Sequence, residues 1–485
     1  MQAPKPPRRD PVELENENQQ LREQLDQSQR RIEQLERDKQ NLNRNIERLK
    51  KELETARRSA KRAAAPFSRG NPKVSPKTPG RKPGARYGRH HHRPRPSQVD
   101  EQIGVDLPSQ CPECGGPVEL QRVESQYQEE IVRRTVIREF RVPIGKCQCC
   151  QRRVQGRHPM QTSDALGAAA VQMGPEALAL AAHLNKKMGL SLGHTAEALE
   201  VGFGLRRSRG ALYQALARLA DKAMPTYQGL VQAARQSLVN RVDETGWRVG
   251  GVPWYLWVFV SDEVTVYAIL PGRGFQQAAS VLGAEYRGWL LHDGWIAYYL
   301  FLLACHQSCL EHLIRRCREM AEIASAVAAE FPLAVKALLQ QALDTRDHYE
   351  QAQISPHGLC TATGQLEARM DRLLAKPYRT EANRRLAKHL RHEQPYLFTF
   401  LHCPGLDATN HLAEQAIRPA VVARKVWGGN RTVNGARTQQ ILVSVFRTYY
   451  QQGKDAFSRL VDLLRSPRPK ILDIVPVSPP QILDP

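Results

Sequence analysis

Hydrophobic positions near the start of the chain recur every seven residues. Leu14, Leu21, Leu35, Leu42 and Leu49 form one column, with Ser28 filling its single gap. Asn18, Leu25, Ile32, Lys39, Ile46 and Leu53 form the alternate column. A seam sustained this long predicts one helix from about 14 to 53 within residues 1–54. So narrow an apolar stripe needs a partner, and the expectation is a coiled coil that pairs protomers; the alternative is a helix packed back on its own globular body.

Periodicity then stops. Residues 55–100 carry seven Pro among many Gly and Ser, a composition that cannot bury a core, and predict an extended linker. Between 101 and 158 the β-branched run Glu129–Val142 (EEIVRRTVIREFRV) predicts strands. Residues 159–235 turn helical and rich in Ala and Leu. Within them a short segment from Leu192 to Leu199, a turn with Gly202 and Gly204, and a second segment capped by Ser208 follow the helix-turn-helix plan. An ordinary helical hairpin gives the same pattern.

After about 236 the pattern changes to short apolar, aromatic and β-branched runs. Ser237–Trp247, Val252–Val260 and Thr265–Leu270 predict three successive strands, Gly274–Leu282 a crossover helix, and Trp289–His292 a fourth strand. Three strands, a helix and another strand open a ribonuclease-H-like fold. That core would occupy residues 236–320. A helical insertion follows over 321–405, and the last helices over 406–465. The Pro-rich tail 466–485 is expected to be disordered or to lie along the surface. The fold class is therefore multidomain α/β.

Charge sharpens this picture. The 485 residues hold 70 Lys+Arg and 49 Asp+Glu, a net +21. Residues 1–54 balance at 12 basic and 12 acidic, whereas residues 55–100 hold 13 basic residues against Asp100 alone, a net +12. A basic arm of this kind tracks phosphates; Arg81 and Lys82 in the Pro-Gly-Arg-Lys-Pro-Gly stretch are its candidate DNA contacts. A solvated spacer is the plainer reading. In the helical segment, Arg206, Arg207, Arg209 and Tyr213 are the candidate contacts. Mean hydropathy is −0.51, and the longest apolar stretch, near Trp295 to Cys305, is far short of a membrane span. A membrane partner is not expected, and no apolar leader core is seen, so a cytoplasmic location is expected.

Cysteine spacing adds a metal. Cys111-Pro-Glu-Cys114-Gly-Gly and Cys147-Gln-Cys149-Cys150 form a CxxC…CxxC pattern. Two thiolate pairs on tight turns can close a tetrahedral structural Zn²⁺ site of ribbon type, with Cys111, Cys114, Cys147 and Cys150 as ligands. Cys149 could replace Cys147 or Cys150.

The chemistry lies in acids. Asp243 and Asp293 are expected at the exits of the first and fourth strands, which are neighbours in such a sheet. Metal-dependent phosphodiester cleavage needs a third acid, and Glu414 fits, on a helix opened by Asn410 with which it shares a face. Hard carboxylate oxygens would hold Mg²⁺ or Mn²⁺, two per active site. Arg418, Arg424 and Lys425 follow on the same helix as candidate phosphate ligands.

The blocks VDETGW (242–247), HDGWIAY (292–298), CHQSCLEHLIRRCRE (305–319), NHLAEQAIRP (410–419) and GGNRT…GARTQ…SVFRT (428–448) resemble insertion-sequence-66-type transposases. The resemblance spans roughly residues 14–460. It implies a DDE transposase with Asp243, Asp293 and Glu414 as catalytic triad. Such an enzyme binds double-stranded DNA at the element's terminal repeats and at the target, and would be nucleoid-associated when bound. Accessory proteins are left open. Cys309-Leu-Glu-His312 matches a CxxH element of related transposases and is given no catalytic role. The alternatives are a non-catalytic DNA-binding protein, or an inactive remnant, and a ribonuclease-H-like nuclease of another type.

Overall fold

The computed structural model describes residues 11–61, 96–128, 135–167, 172–403 and 405–476, and within the first helix the side chains of 15, 19 and 22–46. The chain divides into two compact units, Met1–Pro94 and Arg95–Pro485. The first contains helix α1, Pro11–Lys61. Its described seam residues Leu25, Ile32, Leu35, Leu42 and Ile46 are all exposed on the single chain. Arg81 and Lys82 lie outside the described residues.

The second unit begins with two knuckles of identical backbone. In one, the Gly115 N–H donates to Cys111 O and the Cys111 N–H to Gly116 O, both at 2.8 Å. In the other, Gln151 N–H donates to Cys147 O at 3.0 Å and Cys147 N–H to Arg152 O at 2.8 Å. The residue after the second cysteine has positive φ in each, Gly115 at 71° and Gln151 at 59°. The second knuckle sits at the tip of a hairpin, β1 (Ile144–Lys146) and β2 (Arg153–Gln155), paired antiparallel. The expected strands over Glu129–Val142 are not formed at 135–142; residues 129–134 lie outside the described set. Ile137 is 96% exposed, so this β-branched run lacks the packed neighbours that fix a pleated strand.

Helices α2 (Pro175–Ala182, extended by a π-turn His183–Lys187), α3 (Leu192–Phe203) and α4 (Arg209–Gln236) follow. Ser191 caps α3 and Ser208 caps α4, each hydroxyl accepting a backbone N–H at 3.1 Å, and Gly204 closes α3 in the left-handed region. These helices do not stand apart as a separate module. Leu212, Leu216, Leu219 and Leu230 of α4 join one apolar core with the sheet and the C-terminal helices.

The sheet comprises β3 (Val239–Val249), β4 (Val252–Val260), β5 (Thr265–Leu270), β6 (Trp289–His292) and β7 (Cys305–Ser308), with α5 (Phe275–Leu282) crossing between β5 and β6. Its order is β5-β4-β3-β6-β7. β3, β4 and β5 pair antiparallel, while β6 and β7 join parallel to β3. This mixed sheet is the arrangement expected for a ribonuclease-H-like core. Gly250 and Gly251, both at positive φ, make the two-residue turn that joins β3 to β4.

Then come α6 (Leu310–Ile323), α7 (Ala326–Glu350), α8 (Pro356–Ala375), α9 (Glu381–Glu393) and the short α10 (Thr399–His402). Leu338, Leu339, Leu366, Met370, Leu386 and Leu390 give this inserted group its own core. α11 (His411–Trp427), α12 (Val433–Gln451) and α13 (Ala456–Arg465) return to the sheet. Alternation along the strands separates two faces. Trp257, Phe259, Val266 and Ala268 face the α4 and α12 side, whereas Leu256, Val258, Val260, Tyr267 and Ile269 pack with Ala413, Ala416, Ile417 and Ala420 of α11.

The start of the tail is neither disordered nor superficial. Leu472 and Ile474 are 5% and 1% exposed, Leu472 N–H donates to Thr226 Oγ1 at 3.0 Å, and Tyr449 donates to Asp473 at 2.9 Å. Its Leu, Ile and Val offer apolar surface to α4 and α12 that a Pro-rich composition conceals. Residues 477–485 lie outside the described set.

Candidate active site

Strand alternation decides where Asp243 points. Val242 joins the α4-side core, whereas Trp247 and Val249 face α11. Asp243 shares the odd-numbered register and so faces α11. It does not end its strand, as the sequence suggested: β3 runs on to Val249 paired with β4. Along β3, β6 pairs only with Val239–Arg241, and Asp293 follows β6 immediately. Asp243 therefore lies just past the last β3 residue that pairs with β6, at the end of β6 from which Asp293 departs.

Glu414 arrives from the other side, in the first turn of α11. The entry of α11 is fixed by Asn410, fully buried, whose Nδ2 donates to Val242 O at 2.7 Å and whose backbone N–H donates to Cys309 Sγ at 3.1 Å. Leu310 N–H donates to Ala408 O at 3.0 Å. Arg241, 6% exposed, bridges Asp262 and Asp407 and pins the same return segment. The first turn of α11, which carries Glu414, is thereby anchored against β3 at Val242.

The three carboxylates do not gather into one ion-sized cluster, but Asp293 and Glu414 lie near enough for their charges to act on Asp243. Burial pushes the Asp243 carboxyl up to about 7, and the charges of Glu244, Asp293 and Glu414 push it the same way. Like charges gathered in a partly dry site are costly without a cation. The donor set, hard carboxylate oxygens only, suits Mg²⁺ or Mn²⁺. In donor chemistry Asp243, Asp293 and Glu414 suit such an ion, although they do not stand gathered around one position.

Residues missed in the sequence complete the surroundings. Glu244, with its side chain 1% exposed, faces away from Asp243 and bonds the Tyr298 hydroxyl and the Arg273 guanidinium. Arg273 lies 3.9 Å from Asp293 and 4.1 Å over the Trp295 ring. The Asp293 turn is held from below. Gly294 N–H donates to His292 Nδ1 at 3.1 Å, which leaves His292 Nε2 as donor to His306 Nδ1 at 3.1 Å and His306 Nε2 as donor to Phe301 O at 3.2 Å. Burial holds both imidazoles below their ordinary pKa, consistent with this neutral relay. Glu393, at the end of α9, bonds Ser308 and presses on Gly294 so closely that a Cβ there would meet its carboxylate at 2.9 Å. Gly294 at φ 84° is thus required twice over. Only the Gly following Asp293 in the HDGW block signalled any of this.

The candidate DNA contacts divide. Arg206 is exposed but pairs with Glu200, Arg207 donates to Arg206 O, and Arg209 lies over Gly193 of α3. Tyr213 is half-buried and its hydroxyl meets Thr432 Oγ1 at 2.9 Å, so it ties α4 to the cap of α12. Arg424 donates to Thr245 Oγ1 at 3.2 Å and to Gly246 O, bracing α11 against β3. Arg418 and Lys425 are exposed.

The cysteine pairs remain separate. Backbone N–H groups of Cys114 and Glu113, and the Cys114 thiol, hold the Cys111 thiol below its ordinary pKa; Cys150, then Cys149, act likewise on Cys147. The matching knuckles make Cys150 the counterpart of Cys114. No three of these thiols gather as a metal cluster; among the described residues the single such group is Cys309, His312 and Glu414.

A mixed five-stranded sheet of this order, flanked by helices on both faces, is consistent with a ribonuclease-H-like transposase core. The sequence profile of the transposase IS66 family matches residues 170–438, more than half of the chain. The chain belongs to that family. No curated protein matches it. No helix among the described residues is long and apolar enough to cross a membrane.

Proposed function

We propose that the chain is a DNA transposase that cleaves the ends of its own element and joins them to target DNA. The charges of Asp293 and Glu414 bearing on the buried Asp243 carboxyl support the reading, because a protein that only binds DNA gains nothing from setting repelling carboxylates beside one another. Divalent cations, when bound, would supply charge neutralisation and Lewis acidity at the scissile phosphate. Asp243, Asp293 and Glu414 would hold them. The His292–His306 relay and Glu393 fix the turn that carries Asp293. Hydrolysis and strand transfer are both in-line displacements at phosphorus, so one set of carboxylates serves both. The released 3′-hydroxyl is the second nucleophile, and no side chain is needed as one.

Around this core, Cys111, Cys114, Cys147 and Cys150 would take one structural Zn²⁺ if the knuckles close on each other. The basic arm, with Arg206, Arg209, Arg418 and Lys425, would bind phosphates, and the α1 seam would pair protomers. The identical knuckle backbones and the lowered thiols support the zinc assignment. The decisive experiment is end cleavage by Asp243→Asn, Asp293→Asn and Glu414→Gln. Each is expected to lose at least about 10³-fold in cleavage, measured on labelled terminal-repeat DNA, while binding the repeat normally. Retained cleavage in any one removes that residue from the triad. A wild-type chain that binds but never cleaves returns the non-catalytic alternative.

A further inference from the structure

Cys309 and His312 have no part in the chemistry proposed above, yet they stand against it. Cys309 separates β7 from α6, and His312 lies three residues on, on the same helical face. Cys309 is 2% exposed. Its sulfur takes the N–H of Asn410, the residue that opens α11, so the contact that sets the helix also draws Glu414 over α6. His312 Nε2 lies 3.4 Å from Glu414 Oε1. That approach is not a hydrogen bond, for Oε1 is buried and has no hydrogen-bond partner. Sulfur, imidazole nitrogen and carboxylate oxygen all lie within 4.8 Å of one another.

These distances have a chemical meaning. A nitrogen and an oxygen each ~2.0–2.1 Å from a tetrahedral ion stand about 3.3 Å apart. The imidazole and carboxylate are already at that separation, with the thiol beside them.

We propose that Cys309, His312 and Glu414 form a site for a thiophilic divalent cation of the zinc class, which by engaging Glu414 excludes Mg²⁺ and inhibits strand cleavage. Sulfur selects the ion, since Mg²⁺ prefers oxygen whereas Zn²⁺, Co²⁺ and Cd²⁺ accept a Cys/His/carboxylate set. Three protein ligands leave a fourth position for water. Binding replaces the thiol proton, which passes to solvent, and the imidazole and carboxylate donate lone pairs without further proton change. The side chains of His312 and Glu414 are 25% and 30% exposed, which gives an ion its entry. The inhibitory consequence rests on the cleavage reading; the binding itself does not.

The test compares full-length wild type with Cys309→Ser and His312→Gln in a Co²⁺ titration followed by absorption. All three chains keep Cys111, Cys114, Cys147 and Cys150, so any signal from those thiols is common and cancels. Wild type is expected to take up one Co²⁺ more per chain than Cys309→Ser, with additional sulfur-to-cobalt charge transfer that Zn²⁺ abolishes. His312→Gln, a change on a partly exposed helix face that does not depend on replacing a buried thiol, should weaken this uptake by about tenfold or more. Equal stoichiometry and identical spectra in wild type and His312→Gln overturn the site. For inhibition, the Zn²⁺ concentration that halves Mg²⁺-dependent cleavage, scaled to each chain's own rate, should rise about tenfold in Cys309→Ser; equal sensitivity overturns it. Cobalt uptake by a chain that never cleaves would sink the transposase reading, and the inhibition with it, and leave the metal site standing.

Discussion

Asp243 was legible from sequence as an acid at a strand, but its cost was not, because that cost comes from three other chain segments. Its carboxyl is raised from 3.8 to about 7 by burial first, then by Glu244, Asp293 and Glu414. The sign follows. The folded chain holds a proton on Asp243 that the unfolded chain gives up near 3.8, so this residue's contribution falls as pH rises from about 4 to about 7 and stays low above that. At 1.36 kcal/mol per pKa unit, the penalty above pH 7 is on the order of 1–4 kcal/mol. In metal-free buffer, Asp243→Asn should therefore melt higher than wild type above pH 7, with the gap closing towards pH 4 and narrowing when Mg²⁺ is added. Thermal melts of both chains across that range decide it; a gap that widens on acidification contradicts the placement of these acids. Glu244 and Glu393 were not legible in the same way. Nothing in their neighbours along the chain announces Tyr298, Arg273 or the Gly294 turn, since each partner lies dozens of residues away.

The elements show the same division between pattern and destination. Short apolar, aromatic and β-branched runs located β3, β4, β5 and β6, and the i, i+4 pairing of Asn410 with Glu414 located the start of α11. Sequence could not say that β3 continues past Asp243, because its extension depends on β4 pairing back through Gly250 and Gly251. Nor could it separate the cations of α11. Arg418, Arg424 and Lys425 carry equal charge on paper, yet Arg424 is spent on Thr245 and Gly246 while Arg418 and Lys425, seven residues apart, share an exposed face. Arg418→Ala with Lys425→Ala should leave melting within a few degrees of wild type and weaken DNA binding. The slope of log affinity against log salt should fall by about 2 in magnitude. Arg424→Ala should do the reverse, lowering stability by about 1–3 kcal/mol through two unpaired acceptors with little change of slope. Affinity measured at several salt concentrations, beside thermal melts, tells the two outcomes apart. A steeper loss of slope in Arg424→Ala would return that residue to the DNA surface.

At the scale of the whole molecule, charge and chemistry are kept apart along the chain. Residues 1–54 are neutral overall, and residues 55–100 carry +12 of the net +21. The acids proposed to cut DNA lie far downstream, where their own charge lowers affinity for the phosphates they must approach. A basic segment that supplied general attraction would resolve this conflict, because it would draw DNA in without adding cations among the carboxylates. All 13 basic residues of the segment fall within 57–95, so deleting 57–95 tests the division of labour. Each phosphate neutralised on duplex DNA contributes about 0.9 to the salt slope, and if half of these cations make contact the slope should fall by roughly 6. The acid site is untouched, so cleavage of ends at saturating DNA and low salt should persist, while cleavage at limiting DNA should collapse as salt is raised. Fluorescence titrations of the intact and deleted chains on terminal-repeat DNA give the slopes directly. Unchanged slopes would make 55–100 a spacer only and would shift the attraction to the core's own exposed cations, Arg418 and Lys425 foremost.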